Sequence, residues 1–163
     1  MSKKIIVTGG AGFIGSNLVD ELVAKGFDVH VIDNLSRGKK EQVNEKATLH
    51  VSDIRNLSEI VPIFEGAEYV FHLAAEPRVE FSIQHPVESN DVNVNGTLNV
   101  LVAARDAKVK RVIFASSCAV YGDQKESPLV ETMKAVPKSP YGVHKFVGEL
   151  YCRMFSEVYG LET

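Results

Sequence analysis

The feature that most constrains this chain is its first strand and the turn that follows it. Lys4-Ile5-Ile6-Val7-Thr8 is a short β-branched run of the kind that forms a buried parallel strand. It breaks at Gly9-Gly10-Ala11-Gly12-Phe13-Ile14-Gly15. Ser16 to Lys25 then reads as an amphipathic helix, with Phe13, Leu18, Leu22 and Val23 as its apolar members. Strand, glycine turn and helix together form the context in which a dinucleotide fingerprint is meaningful. The glycines leave room for a pyrophosphate to lie on the backbone and for the helix to pack close on the strand. The helix N-terminus offers its free N–H groups and positive dipole end to phosphates.

A second strand, Phe27 to Ile32, ends in Asp33, 18 residues past Gly15. That is near the spacing of a carboxylate that accepts ribose hydroxyls, and it would repel a 2′-phosphate. The acid therefore favours NAD over NADP. Arg37, four residues on, is the feature that points the other way.

Helical and strand patterns alternate along the rest of the chain, which predicts an α/β protein: a doubly wound parallel sheet with helices on both faces. Asn34 to Gln42 is a polar loop with a short helical turn. Ala47 to Val51 is a third strand, followed by a helix over 56–64 with Asn56 as N-cap. Glu68 to Leu73 is a fourth strand, and Glu76 to His85 a loop. Pro86 opens a long helix over 86–106, and Arg111 to Ala115 is a fifth strand. Gly122 to Ser139 is a polar loop. Pro140 to Tyr159 is a helix with Gly160 as its C-cap. Ligands of such sheets sit beyond the carboxyl ends of the strands. The residues there are the glycine turn, Asp33, Asp53, Ala74-Ala75 and Ser116-Ser117. Small Ala74 and Ala75 would let a cofactor lie near the backbone. Asp53 reads equally as an acceptor for an adenine amine and as a helix cap or solvated acid.

The 163 residues make one domain, expected to bind NAD over 1–163. A hydrophobic fraction of 45% against 24% charged, with a net charge of −3 and no basic stripe, argues against nucleic acid as a partner. No run approaches a membrane span, and nothing at the N-terminus resembles a signal peptide. Cys118 and Cys152 read as reduced thiols in a cytoplasmic protein. No metal site is expected.

Tyr141 and Lys145 lie four apart near the start of the last helix, hence on one face. A free phenol, with a pKa of about 10, is a poor base at neutral pH, and a nearby ammonium favours the phenolate. Such a pair can take a proton from an alcohol while hydride leaves for a nicotinamide. Ser117, 24 residues earlier, can hydrogen-bond the same oxygen. His144 reads as a structural neighbour and Cys118 as a packing residue.

These residues resemble the extended short-chain dehydrogenase/reductases, in particular the NAD-dependent sugar-nucleotide epimerase/dehydratase family. The matching stretches are Thr8 to Gly15, Asp33-Asn34, Asp53, His72 to Ala75, Asn93 to Thr97, Ser116-Ser117, Val120 to Gly122, and Ser139 to Gly142 with Lys145. The resemblance implies a Rossmann-type fold that binds NAD. It implies cofactor contacts at Gly9, Gly12, Phe13, Ile14, Gly15, Asp33, Asn34, Asp53, Ile54, Leu73, Ala74 and Ala75, with Asn93 in support. It implies Ser117, Tyr141 and Lys145 as the catalytic set, the last two also touching the cofactor.

Cys118-Ala119, which follow Ser117, lack the acidic groups typical of the family's dehydratases and decarboxylases. The resemblance is therefore to epimerases of the UDP-glucose 4-epimerase type, which work through a 4-keto intermediate. It implies a UDP-hexose substrate and a homodimer through helices 86–106 and 140–159. It further implies that this is the N-terminal, cofactor-binding half, without the C-terminal substrate domain, and inactive alone. The alternatives are a stand-alone NAD-binding module without turnover, and a dehydratase, decarboxylase or reductase of the same family.

Overall fold

A computed structural model describes residues 2–163. Five parallel strands form one sheet in the order β3-β2-β1-β4-β5. The strands are β1 (Lys4–Thr8), β2 (Asp28–Asp33), β3 (Thr48–Val51), β4 (Ala67–His72) and β5 (Arg111–Phe114). The β-branched runs are buried on both faces, as parallel strands require. Ile5, Val7, Val29 and Val31 face α1 (Phe13–Ala24), through Val19 and Leu22. Ile6, Ile32, Val70 and Val112 face the other way, into a larger core. That core is closed by α2 (Leu57–Phe64), α5 (Gly96–Asp106) and α6 (Pro140–Tyr159), which contribute Phe64, Leu101 and Phe155. The doubly wound sheet is thus the Rossmann-type architecture that the alternating pattern predicts.

Several elements depart from the sequence expectation. α1 begins at Phe13 rather than Ser16, so Phe13 and Ile14 form its first turn. Phe13 is 82% exposed and Ile14 69%; Phe13 is not part of the helix's core face but stands at the carboxyl edge of the sheet. The segment expected as a loop over 76–85 contains a short helix, α3 (Val79–Gln84). Asn56 occupies the N-cap of α2, but its side chain donates to Glu59 and accepts from Ser58 instead of capping the backbone. The helix expected over 86–106 runs as α4 (Pro86–Asn90), a π-helical turn over Asp91–Asn95, and α5. The Thr97 hydroxyl donates to the Asn93 carbonyl at 2.7 Å, competing with the helix ladder inside that wide turn.

α6 matches its sequence signals. The Ser139 hydroxyl caps Gly142 N–H at 3.1 Å, Pro140 follows, and Gly160 closes the helix at φ 69°. Beyond it, Glu162 pairs in parallel with Arg111 on the outer edge of β5. Among the described residues, no helix is long and apolar enough to cross a membrane.

Candidate functional site

The carboxyl ends of the strands open into a crevice of about 620 Å³. Its floor is the glycine turn. Gly9 N–H donates to the Ile32 carbonyl at 2.8 Å. Gly9 has φ 74°, and a Cβ there would lie 2.7 Å from Ala74 N, so the loop after β4 rests directly on this turn. At Gly15 a Cβ would lie 2.2 Å from the Gly9 carbonyl oxygen. Glycine is therefore what lets α1 begin this close to β1. No side chain caps the N-terminus of α1. Its first N–H groups and the bare backbone make a cradle for a diphosphate.

Asp33 stands at the end of β2. One carboxylate oxygen accepts from Ala11 N–H at 3.0 Å, and the other from Leu35 N–H at 2.8 Å, which holds Leu35 at φ 58°. A carboxylate offers about four acceptor positions, so both oxygens retain capacity for ribose hydroxyls. The cradle, the uncapped helix and this acid fit a dinucleotide.

Asp53 lines the crevice as an acid held by its neighbours rather than a solvated one. Both its oxygens accept from the Arg55 guanidinium, at 3.0 and 2.8 Å, and one also accepts from Asn34 Nδ2 at 2.8 Å. The Arg55 hydrogen bonds hold the Asp53 carboxyl down at about 2. Asp53 and Arg55 thus form a charged wall of the crevice beside Asn34.

At the opposite end, α6 places Tyr141 and Lys145 in the crevice wall. Lys145 is 4% exposed. Its ammonium donates to the Ala115 carbonyl, just past β5, at 2.7 Å and lies 5.9 Å from the Tyr141 ring centroid. Burial lowers its pKa to about 8, so it remains a cation at neutral pH.

The crevice lining includes Gly9, Gly12, Phe13, Ile14, Gly15, Asp33, Asn34, Asp53, Ile54, Leu73, Ala74, Ala75, Tyr141 and Lys145. Two predicted residues lie off it. Asn93 is buried behind the wall, its amide clamping the Glu76 backbone through N–H at 2.8 Å and C=O at 3.0 Å. Ser117 uses its hydroxyl oxygen to accept Ala119 N–H at 3.2 Å, capping a single turn over Cys118–Val120. Of the two adjacent serines, Ser116 is the one in the lining, and its hydroxyl donates to Glu149. Cys118 is exposed rather than packed, while Cys152 is buried and both are free thiols. His144 is buried beside Ser89, at 3.4 Å. Among the described residues, no group of three or more His, Cys, Asp or Glu is placed to hold a metal ion.

The sequence reading did not single out His72. It is 1% exposed, with Thr8 Oγ1 at 2.7 Å from Nδ1 and Thr97 Oγ1 at 2.9 Å from Nε2. Because Thr97 donates its proton to Asn93, it accepts from Nε2–H, and Thr8 donates to Nδ1. Thr8 in turn accepts Ala74 N–H at 3.2 Å. A neutral imidazole thus ties β1, the Ala74 loop and the π-helical turn into one satisfied network. Burial, and the nearby Lys145 charge, push the His72 pKa down to about 3. Its folded value lies below the unfolded value near 6.5, so the unfolded chain takes up the proton first. Stability is therefore intact above pH 6.5 and falls by up to about 1.4 kcal/mol per pH unit as pH drops toward 3. Urea unfolding at stepped pH should show this slope, and His72→Gln should remove one proton's worth of it. An unchanged slope would mean that His72 is not held neutral.

With this geometry described, the chain can be placed among known proteins. The fold and crevice are those of the NAD dependent epimerase/dehydratase family, whose match runs over residues 5–163, and the chain belongs to that family. The UDP-glucose 4-epimerase of Lacticaseibacillus casei is 36% identical over 160 residues, covering 97% of this chain and 48% of that protein. The crystal structure of the Thermotoga maritima UDP-glucose 4-epimerase with UDP-glucose has a TM-score of 0.94 at 41% identity, over 97% of this chain and 52% of that one. The Thermus thermophilus UDP-glucose 4-epimerase in complex with NAD has a TM-score of 0.92 at 38% identity, with the same coverage of 97% and 52%. The chain spans about half the length of the curated relatives it matches.

Proposed function

We propose that these residues form the NAD-binding and catalytic part, a single domain over 1–163, of a nucleotide-sugar 4-epimerase that acts on a UDP-hexose. The observation that carries this reading is the Tyr141/Lys145 pair. Its buried ammonium is fixed on the Ala115 carbonyl, just past β5, in the wall of a crevice whose floor is a diphosphate cradle. NAD, when bound, supplies the acceptor and later the donor of one hydride. The protein's own residues do the rest. Gly9, Gly12 and Gly15, with the first N–H groups of α1, hold the diphosphate. Asp33 accepts the ribose hydroxyls. Tyr141 takes the proton of the sugar's C4 hydroxyl, and the Lys145 cation favours the phenolate that can do so. Ser117, next to Ser116 of the lining, is the hydrogen-bond donor to the same oxygen once its side chain turns toward the crevice. Its oxygen accepts Ala119 N–H, which leaves its own proton available. A 4-keto sugar that turns over in the crevice and receives hydride on its other face completes the inversion.

Cys118-Ala119 support epimerase over dehydratase, since neither supplies the acid or base that loss of water requires. Full-length protein incubated with UDP-galactose should form UDP-glucose, read by a coupled UDP-glucose dehydrogenase assay. Absence of interconversion at saturating NAD and substrate would overturn the reading.

The same proposal includes a cytoplasmic protein and a homodimer. Val87 on α4, and Val143 and Leu150 on α6, are apolar and exposed, Val87 to 83%. A two-fold pairing of these helices would cover them with their own copies. Sedimentation at tens of micromolar should show a dimer, roughly the range in which a standard-size interface holds. Val87→Glu should shift it to monomer. A monomeric wild type would contradict the assignment.

A further inference from the structure

An arginine near the ribose-binding acid is the group that can accommodate a 2′-phosphate, and Arg37, four residues past Asp33, lines the same crevice. The structure gives it another partner. Arg37 Nη2 donates to Glu76 Oε2 at 2.7 Å. Arg37 follows β2 and Glu76 follows β4, and these two strands flank β1. The ion pair therefore bridges the loops on either side of the glycine turn, within the crevice.

The Glu76 end of this bridge is firmly held, and so is the backbone of the Arg37 loop. Glu76's other oxygen accepts from Arg78 Nε at 3.0 Å and from Arg78 N–H at 3.2 Å. Its side chain is only 11% exposed, and Asn93 fixes its peptide on both sides. On the Arg37 side, Lys39 N–H donates to the Ala11 carbonyl at 3.3 Å. Gly38 lies so close that a Cβ would sit 2.5 Å from the same oxygen. The Arg37 loop is thus seated on the glycine turn, and its guanidinium, on a side chain 46% exposed, gives Nη2 to a nearly dry carboxylate that also accepts twice from Arg78.

We propose that Glu76 determines the dinucleotide preference of this site by withholding Arg37 from a 2′-phosphate. The proposal rests on the dinucleotide reading of the crevice given above. Asp33 repels the phosphate, and Glu76 occupies the cation that would otherwise compensate for that repulsion. A charge-assisted, planar guanidinium contact to phosphate is among the stronger polar interactions, so its presence or absence decides between the two cofactors.

The test is direct binding to the full-length protein, freed of nucleotide, by calorimetry. NAD, NADP and 2′,5′-ADP are titrated into wild type, Glu76→Gln, Arg37→Ala and the double variant. Glu76→Gln should raise the NADP:NAD affinity ratio roughly tenfold, with 2′,5′-ADP tightening in parallel. The double variant should return the ratio to the wild-type value. Arg37→Ala alone should leave the ratio within about twofold, because the guanidinium is already engaged, and this arm decides the matter even if Glu76→Gln does not fold. An unchanged ratio in folded Glu76→Gln overturns the proposal and leaves the dinucleotide reading standing. So does an Arg37→Ala protein that has lost about tenfold in NADP affinity. A wild type that binds neither dinucleotide overturns that reading and the proposal with it.

Discussion

Tyr141→Phe in the full-length protein should lower kcat by about 10³-fold while NAD affinity stays within a few-fold of wild type. The substitution removes one oxygen from a side chain in the crevice wall and leaves the ring, the helix and the Lys145–Ala115 hydrogen bond in place. What disappears is the phenol oxygen of the ring that lies 5.9 Å from the buried ammonium. A positioned acid–base group contributes on the order of 10² to 10⁴ in rate, and in the proposed mechanism the same oxygen would serve in both directions of the hydride transfer. Steady-state kinetics together with an NAD titration separate the two effects. Near-normal turnover in Tyr141→Phe would show that another group takes the proton.

Gly15→Ala should be the most damaging single methyl that the crevice can receive. Its Cβ would lie 2.2 Å from the Gly9 carbonyl oxygen and 2.7 Å from Gly10 Cα, both backbone atoms. Gly9 has no room to retreat: it is bonded to Ile32 on one side and packed on Ala74 on the other. The turn and α1 must separate, which opens the diphosphate cradle. A destabilisation of about 3 kcal/mol and a loss of roughly 100-fold in NAD affinity are expected. Gly12→Ala, whose Cβ would meet the same oxygen at 3.3 Å, should be much milder. Urea unfolding and NAD titration of both variants check the ranking. Equal effects at the two positions would contradict the packing account.

Much of this arrangement was legible in the sequence because it depends on local signals. β-branched runs, a glycine turn and capped helices encode themselves within a few residues, and the parallel sheet follows from their alternation. The crevice was legible because residues that end parallel strands converge there. What was hidden depends on partners distant in sequence. Val79–Gln84 is one and a half turns long, too short to display a helical period. The π-helical turn over Asp91–Asn95 is set by the Thr97 hydroxyl and by Asn93's bonds to Glu76. Phe13 has the composition of a core residue but stands exposed beside the cradle. Asp53 reads equally as an acceptor, a cap or a solvated acid, and its bonds to the Arg55 guanidinium, two residues away, are seen only in the fold. The Arg37–Glu76 pair joins positions 39 apart, and only the fold brings them together.

The central claim is that this crevice oxidises a sugar at C4 and returns the same hydride. Full-length protein can be given UDP-galactose carrying deuterium at C4, in ordinary water, and the product followed by NMR. The account predicts UDP-glucose that retains the deuterium at C4, at a rate that collapses in Tyr141→Phe. UDP-glucose with the label lost to solvent, or no conversion of the labelled sugar, would contradict it.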